Sequence, residues 1–177
     1  MNHTPTDVRC THCGLPVPKG LVEPGAEHQF CCNGCKAVYA VIHGCGLDRY
    51  YDLRKREDAA PSPAKPSGET YTEFDDPTFT SLYVAQLDDG RATTELVLEG
   101  VHCGACVWLI EKLPRVVPGV IEARLSIRSN LVRVVWDARR VRLSQIARAL
   151  DSLGYRPHAA RDAATRDARR REDRRFL

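Results

Sequence analysis

Eight cysteines carry most of the chemistry that this 177-residue chain can perform. The first ten residues show none of the charged-then-apolar pattern of a secretory signal, which indicates a reducing compartment. Closely spaced cysteines in such a compartment indicate metal ligands or redox thiols, and not a disulfide framework. The cysteines are Cys10, Cys13, Cys31, Cys32, Cys35, Cys45, Cys103 and Cys106.

Five cysteines near the N-terminus can form one metal site. Cys10 and Cys13 have the spacing of a metal-binding turn, and four thiolates would hold a metal in a closed tetrahedral shell. The second pair can be drawn in two ways, because Cys35 lies three residues after Cys32 and four after Cys31. A module of about 50 residues is too small for a self-sufficient apolar core, and a bound metal would supply the missing stability.

The stretch GVHCGACVW places Cys103 and Cys106 between a predicted strand and a predicted helix. Cys106 would lie in the first turn of that helix, where free N–H groups and the helix dipole favour a thiolate. Two soft ligands without a closed tetrahedral shell suit copper(I) better than zinc, and His102 would have to point inward to add a third. The alternatives are a thioredoxin-like redox pair and two inert buried cysteines.

Composition divides the chain into two modules, a linker and a tail. We predict a cysteine-rich metal-binding module over 8–54, a proline-rich linker over 55–78, a second module over 79–160 and a basic tail over 161–177. The tail holds seven arginines against four acids, and this surplus equals the +3 net charge of the whole chain. Such a tail indicates a membrane surface, nucleic acid or a solvated helix. No apolar run approaches the ~20 residues of a membrane-spanning helix.

Periodicity in the second module alternates between strand and helix. TSLYVAQLDDGRATTELVLEG predicts two strands joined by a turn at Asp89 and Gly90, and CGACVWLIEKLP predicts a short helix. GVIEARLSIRSN predicts a strand with Ala123, Leu125 and Ile127 on one face. A further strand is predicted from LVRVVWD and an amphipathic helix from LSQIARALDSLG. An edge strand is predicted from YRPHA. The order β-α-β-β-α-β is that of an α+β, ferredoxin-like sandwich.

A family resemblance covers residues 92–160. GVHCGACVWLIEKLPRVVPGVIEARLSIRSNLVRVVWD resembles the heavy-metal-associated domain of copper chaperones and copper-transporting P-type ATPases. The resemblance implies that Cys103 and Cys106 bind one copper(I) ion in near-linear geometry. Val101 stands where that family usually has methionine, a residue that packs under the loop and does not ligate.

The N-terminal module adds a second resemblance. Three stretches of it resemble the cysteine-rich domain of the ATPase branch associated with cbb3-type oxidase assembly. They are CTHCGLPVP, FCCNGCKAVYAVI and GLDRYYDLR. FCCNGC also resembles small treble-clef metal sensors of the TRASH and YHS type. This implies a thiolate set of Cys10, Cys13, Cys31 and Cys35, holding zinc or copper, with Cys32 as the alternative ligand. We expect packing or surface roles for Cys45, His12, His28 and His43.

Together the resemblances imply the metal-binding N-terminal region of a copper-exporting ATPase. It would take copper(I) from a copper chaperone by thiolate exchange, which needs exposed thiolates, and pass it to the pump or regulate it. Its partners would be the transmembrane and ATP-binding parts of the same pump and, through the arginine-rich tail, the cytoplasmic surface of the inner membrane. The chain lacks a D-K-T-G phosphorylation motif and a Gly-rich phosphate loop, so we expect no enzymatic activity from it.

Two other function classes remain as alternatives. A thiol–disulfide oxidoreductase with a structural zinc module would cycle Cys103 and Cys106 between dithiol and disulfide. A nucleic-acid-binding zinc module would rest on the arginines alone. The balanced charge of residues 1–160 and the absence of a basic face with interleaved aromatics disfavour nucleic acid as a partner.

Overall fold

The computed structural model describes residues 8–56 and 65–160. The N-terminal module begins with a turn closed by a β-bridge between Arg9 and Pro16, followed by helices α1 (Asn33–Gly44) and α2 (Arg49–Lys55). The predicted basic tail, 161–177, lies outside the described residues. Within the described ranges, no helix combines the length and the apolar character needed to cross a membrane.

The C-terminal module is an antiparallel sheet covered by helices. Its elements are α3 (Pro77–Tyr83), β1 (Val84–Gln86), β2 (Arg91–Glu99), α4 (Gly104–Glu111), α5 (Leu113–Val116), β3 (Val120–Ser126), β4 (Leu131–Asp137), α6 (Leu143–Ser152) and β5 (Arg156–Ala159).

Strand β2 is the centre of this sheet. Strand β4 pairs along one edge of β2 and carries β3 on its far side, while β5 and the short β1 share the other edge of β2 end to end. Alternate β2 residues, from Ala92 to Leu98, are buried, as expected for a strand with one face on the core. The path β2-α4-β3-β4-α6-β5 confirms the predicted ferredoxin-like order, and β2 leads directly into the CxxC loop.

The residues before β2 were predicted to form a strand, but most of them form a helix. Residues 77–83 form helix α3, and only Val84–Gln86 pair with β2. The Asp76 side chain accepts a hydrogen bond from the Thr78 N–H at 2.8 Å, and Pro77 occupies the first turn, so this segment carries strong helix-start signals. These local signals outweighed the β-branched and aromatic content that suggested a strand.

The prediction that Ile127 lies on the same face of β3 as Ala123 is also wrong. Strand β3 ends at Ser126, and Ile127 lies beyond it with 48% of its surface exposed. The chain turns there through Asn130, which has a φ of 52°. Ala123 is buried as predicted. The turn before β2 also agrees with prediction, with left-handed φ values at Asp89 and Gly90.

A single hydrophobic core joins the two modules. The N-terminal helices contribute apolar side chains to the same buried cluster as the sheet and its helices. Helix α2 packs against α4, and α1 lies against α6. The N-terminal module therefore uses the second module to bury apolar surface that it is too small to bury alone. Its fully buried contributors are Val38, Ile42, Leu47 and Tyr50.

Residues 65–75, within the predicted linker, run along helix α6 and are tied to it by two acids. The buried carboxylate of Asp151 accepts hydrogen bonds from the N–H groups of Ser67 and Gly68, at 3.0 and 3.1 Å, and from the Tyr71 hydroxyl at 3.1 Å. At the other end of α6, Asp75 accepts from the Ser144 N–H at 2.9 Å and caps the helix from outside. These bonds set the path of the segment.

We expect Asp151→Ala to lower the free energy of unfolding by about 3 kcal/mol, because it removes a buried charged acceptor and leaves three donors without it. Urea denaturation followed by circular dichroism measures this loss. The control is Glu95→Ala, which removes a partly exposed carboxylate paired with Arg133 at 3.1 Å and should cost less than about 1 kcal/mol. Equal losses in the two variants would contradict the role given to Asp151.

Candidate metal centres

The turn of the N-terminal module presents two cysteines to one point. The Cys10 N–H donates to the Leu15 carbonyl at 2.8 Å, and the Gly14 N–H donates to the Cys10 carbonyl at 2.9 Å. Gly14 has a φ of 77°, which lets the chain reverse just after Cys13. The side chains of Cys10 and Cys13 are both buried, at 3% and 1% exposure. A turn of this kind holds both thiols on the same side.

Helix α1 supplies the second pair of thiols. Cys31 precedes the helix and Cys35 lies in its first turn, so both reach back towards the turn that carries Cys10 and Cys13. The Cys31 sulfur lies 3.5 Å from that of Cys13 and 3.6 Å from that of Cys35. All four sulfurs lie within 4.8 Å of one another. Tetrahedral zinc with Zn–S of about 2.3 Å needs sulfurs roughly 3.8 Å apart, so the group fits such an ion.

Cys32 lies outside the four-thiol group, which was the open question in the sequence. Its sulfur is 4.0 Å from that of Cys31 and accepts a hydrogen bond from the Cys35 N–H at 3.4 Å. Cys32 is thus the N-cap of α1. Burial opposes its ionisation, but the Cys35 N–H, the thiols of Cys35 and Cys31 and the charge of Lys65 together lower the pKa of Cys32.

Two of the four thiols, Cys31 and Cys35, resist ionisation in this arrangement. Burial opposes ionisation of Cys10, but the backbone N–H groups of Cys13 and Cys31 lower its pKa to about 7. Burial and the Cys13 thiol raise the pKa of Cys31 to about 12, and burial with the Cys31 thiol raises the pKa of Cys35 far above its ordinary value. The Cys10 thiolate therefore forms near neutral pH, whereas Cys31 and Cys35 would need a positive ion beside them to ionise.

The spare candidates from the sequence lie elsewhere. Cys45 packs half-buried against the main core. Each of the three histidines makes a side-chain contact outside the four-thiol group. His12 Nδ1 lies 3.0 Å from the Tyr51 hydroxyl, His28 Nε2 lies 3.1 Å from the Tyr39 hydroxyl, and His43 Nδ1 lies 2.7 Å from Asp48 Oδ1.

The second candidate centre is the CxxC loop between β2 and α4. Gly100, with a φ of 90°, lets the chain leave β2 close to the Gly154 carbonyl. Cys103 is extended, with a φ of −151°, and immediately precedes α4, while Cys106 lies in the first turn of that helix. Their sulfurs are 3.3 Å apart. Both thiols thus meet at a helix N-terminus, where the dipole favours thiolate.

His102 places a third donor atom near the two thiols. The sequence alone left open whether its ring points towards them. Its Nδ1 lies 3.8 Å from the Cys106 sulfur and 2.9 Å from the Gly100 carbonyl oxygen. The donor atoms of His102, Cys103 and Cys106 all lie within 4.8 Å of one another. The ring therefore does lean towards the thiols, although Nδ1 is also engaged by the backbone.

The thiols of the CxxC loop are buried, contrary to the expectation that they are exposed. Cys103 retains 4% of its surface and Cys106 none. They share the main core with Tyr50 of α2 and with Tyr155, which follows α6. Burial raises the pKa of Tyr155, and the neighbouring Tyr50 and Cys106 raise it further. The thiols are buried because they belong to the shared core, to which α2 contributes Tyr50 and the residue after α6 contributes Tyr155.

Sequence reasoning missed both tyrosines as neighbours of this centre. Tyr155 lies between α6, which ends at Ser152, and β5, and the carbonyl of the preceding Gly154 lies close to Gly100 at the end of β2. The predicted ferredoxin-like order pairs the last strand with β2, and this was a signal that could have placed Tyr155 near the CxxC loop. Tyr50 has no such signal, because nothing in its local sequence indicates contact with a helix about 55 residues away.

Both modules match known families. Residues 9–88 match the putative metal-binding domain of cation transport ATPase, and residues 96–156 match the heavy-metal-associated domain. These matches confirm the two resemblances seen in the sequence.

Three known proteins illustrate the similarity. Nitrogen fixation protein FixI of Bradyrhizobium diazoefficiens is 31% identical over 78 residues, which are 44% of this chain and 11% of FixI. The chain thus spans about a tenth of that relative's length. Copper chaperone CopZ of Staphylococcus aureus is 32% identical over 60 residues, 34% of this chain and 88% of the chaperone. The solved N-terminal domain of a potential copper-translocating P-type ATPase from Bacillus subtilis is 30% identical, covering 38% of this chain and 84% of that domain, with a TM-score of 0.36.

Two adjacent substitutions test the four-thiol group. We expect Cys32→Ser to retain the N-terminal metal and helix α1, because serine is a good N-cap and Cys32 lies outside the group. Cys31→Ser removes one of the four thiols and should lower metal affinity at least about 100-fold. Metal content of each purified variant, measured by mass spectrometry after dialysis against a chelator, distinguishes them. Loss of metal from Cys32→Ser together with retention by Cys31→Ser would show that the ligands are paired wrongly.

Proposed function

Because the chain belongs to the heavy-metal-associated domain family, we propose that it is the copper(I)-binding regulatory and delivery region of a copper-translocating P-type ATPase. The observation that carries the proposal is the pair of thiols of Cys103 and Cys106, 3.3 Å apart at the start of α4. Soft thiolates select copper(I), and two of them do not form the closed shell of structural zinc. The similarity to a copper chaperone supports the same metal.

Copper(I) is the cargo in this proposal, and it moves by exchange of thiolates. A chaperone presents the ion on its own thiolates, and the Cys103 thiolate, the less enclosed of the pair, adds to give three-coordinate copper(I). One chaperone thiolate leaves, and Cys106 replaces the second. No electron is transferred, and the protons lost by the incoming thiols pass to the leaving thiolates or to water. The helix dipole at the start of α4 stabilises both incoming thiolates.

The four-thiol group has a different part in the proposal. Cys10, Cys13, Cys31 and Cys35 would hold zinc as a structural ion, since four thiolates close the tetrahedral shell and leave no position for exchange. Sulfur spacings of 3.5 and 3.6 Å support that geometry. When bound, the ion stabilises the thiolates that otherwise resist ionisation. Copper in this group instead of zinc is the other outcome of a metal analysis.

The match of residues 9–88 to a putative metal-binding domain of cation transport ATPase supports a role within such a pump. The transmembrane and ATP-binding parts of that pump would receive the copper(I) or respond to it, and a copper chaperone would supply it. The proposal places the chain at the cytoplasmic side of the inner membrane, with the arginine-rich tail at the membrane surface. Catalysis would belong to the other parts of the pump.

We expect Cys103→Ser combined with Cys106→Ser to abolish the tightest copper(I) site, because no soft donor pair remains in the loop. Titration of copper(I) against a chromogenic copper(I) chelator measures the affinity, and we expect a loss of at least about 1000-fold. Cys45→Ser is the control, since Cys45 lies outside both thiol groups, and it should retain the site. An unchanged tightest site in the double variant would overturn the assignment.

The same double variant tests the thiol–disulfide oxidoreductase alternative. That function predicts that the wild-type chain reduces a test disulfide catalytically at neutral pH and that the double variant does not. Under the copper proposal, neither protein should turn over the disulfide, and the two thiols of the wild-type chain should react with it at most once. Catalytic turnover without tight copper(I) binding would favour the oxidoreductase.

A further inference from the structure

Helix α1 begins with the same arrangement of two cysteines as helix α4, which follows the CxxC loop. Cys32 immediately precedes α1 in an extended conformation, with φ −163° and ψ 165°, and Cys35 lies in the first turn of the helix. Cys103 precedes α4 with φ −151° and ψ 167°, and Cys106 lies in the first turn of that helix. The start of α1 therefore repeats the local backbone geometry of the proposed copper(I) loop.

A third thiol lies beside this second pair. The Cys31 sulfur lies 4.0 Å from that of Cys32 and 3.6 Å from that of Cys35. The Cys35 N–H donates to the Cys32 sulfur at 3.4 Å, which holds this sulfur at the start of the helix. Thiolates bound to one ion at about 2.3 Å have sulfurs roughly 3.8 Å apart. Cys31 is therefore spaced from both neighbours as one ligand is from another around a shared ion.

These thiols also differ from the rest of the N-terminal group in accessibility. Cys31 and Cys32 are both partly exposed, whereas Cys35 and the two cysteines of the turn are buried. Gly34 has no side chain, and a Cβ at that position would lie 3.6 Å from the Cys32 sulfur. An ion held at Cys32 is therefore within reach of thiolates that approach from solvent.

The charge of the four-thiol group favours a second cation at this point. Four thiolates around zinc keep a net negative charge, because their four negative charges exceed the two positive charges of the ion. A thiolate sulfur has further lone pairs and can bridge two ions. A monovalent soft ion suits such a position, because thiolates select it and it repels the zinc less than a divalent ion would.

We propose that Cys32 forms a second copper(I) site beside the four-thiol group, with Cys31 and Cys35 as thiolates shared by copper(I) and zinc. The inference rests on the proposed zinc and copper(I) assignments and adds a site that neither centre includes. Copper(I) enters by thiolate exchange: Cys32 binds the ion, a donor thiolate leaves and takes the Cys32 proton, and no electron is transferred. The site binds copper(I) less tightly than the CxxC loop, because two of its three thiolates are shared with zinc.

The test counts copper(I) in the absence of the CxxC site. The full chain carrying Cys103→Ser and Cys106→Ser is loaded with zinc and titrated with copper(I) against a chromogenic chelator, and both metals are measured by mass spectrometry. We expect about one copper(I) per chain with zinc retained, at an affinity at least about 1000-fold below that of the wild-type loop. Adding Cys32→Ser should lower this affinity at least about 100-fold and leave the zinc in place, because a hydroxyl is a poor ligand for a soft ion.

Cys45→Ser in the same double variant is the matched control, because Cys45 is also partly exposed and lies outside the thiol groups. It should retain the copper(I), and circular dichroism checks folding of each variant. A second measurement needs no change at Cys32. One equivalent of copper(I) should slow alkylation of Cys32 by N-ethylmaleimide at least about tenfold and leave the rate at Cys45 unchanged, as followed by peptide mass spectrometry.

Unchanged copper(I) binding after Cys32→Ser, or alkylation of Cys32 that copper(I) does not slow, would overturn the second site. Copper(I) that displaces zinc one for one would overturn the sharing of thiolates, since the ion would then lie in the four-thiol group itself. Both results leave the proposed function of the CxxC loop intact. That function fails separately, if the tightest copper(I) site survives Cys103→Ser combined with Cys106→Ser.

Discussion

The packing of helix α2 against α4 is the contact on which the rest of the structure depends. It merges the apolar faces of two small modules into one core, so that neither module has to bury its own surface alone. The same contact places Tyr50 beside the CxxC loop. The CxxC thiols are thus buried in a core to which both modules contribute.

The two modules differ in how their buried ionisable groups are stabilised. In the C-terminal module, the buried carboxylate of Asp151 is fully engaged by hydrogen bonds and fixes residues 67–71 on α6. In the N-terminal module, four thiols converge, and burial together with the Cys13 thiol raises the pKa of Cys31 to about 12. The first site is complete within the chain, whereas a cation would be needed to balance four thiolates at the second.

Local sequence was sufficient wherever a short-range signal decided the structure. The turn at Asp89 and Gly90, the buried face of α6 and the β-α-β-β-α-β order follow from periodicity and turn residues. Residues 77–83 show the limit of that approach, because strand-like composition competed there with the Asp76 cap and Pro77, and the cap prevailed. Ile127 shows another, since alternation does not indicate where a strand ends.

The cysteine pattern by itself determined that the chain has two thiol centres, one of four donors and one of two, because spacing limits which sulfurs can meet. Tertiary structure decided that Cys31 joins the group while Cys32 caps α1. It also decided that Cys103 and Cys106 are buried, for burial depends on what packs over a loop. One contributor to that core, α2, is about 55 residues away in the chain, and no periodicity or spacing encodes a contact between surfaces so far apart.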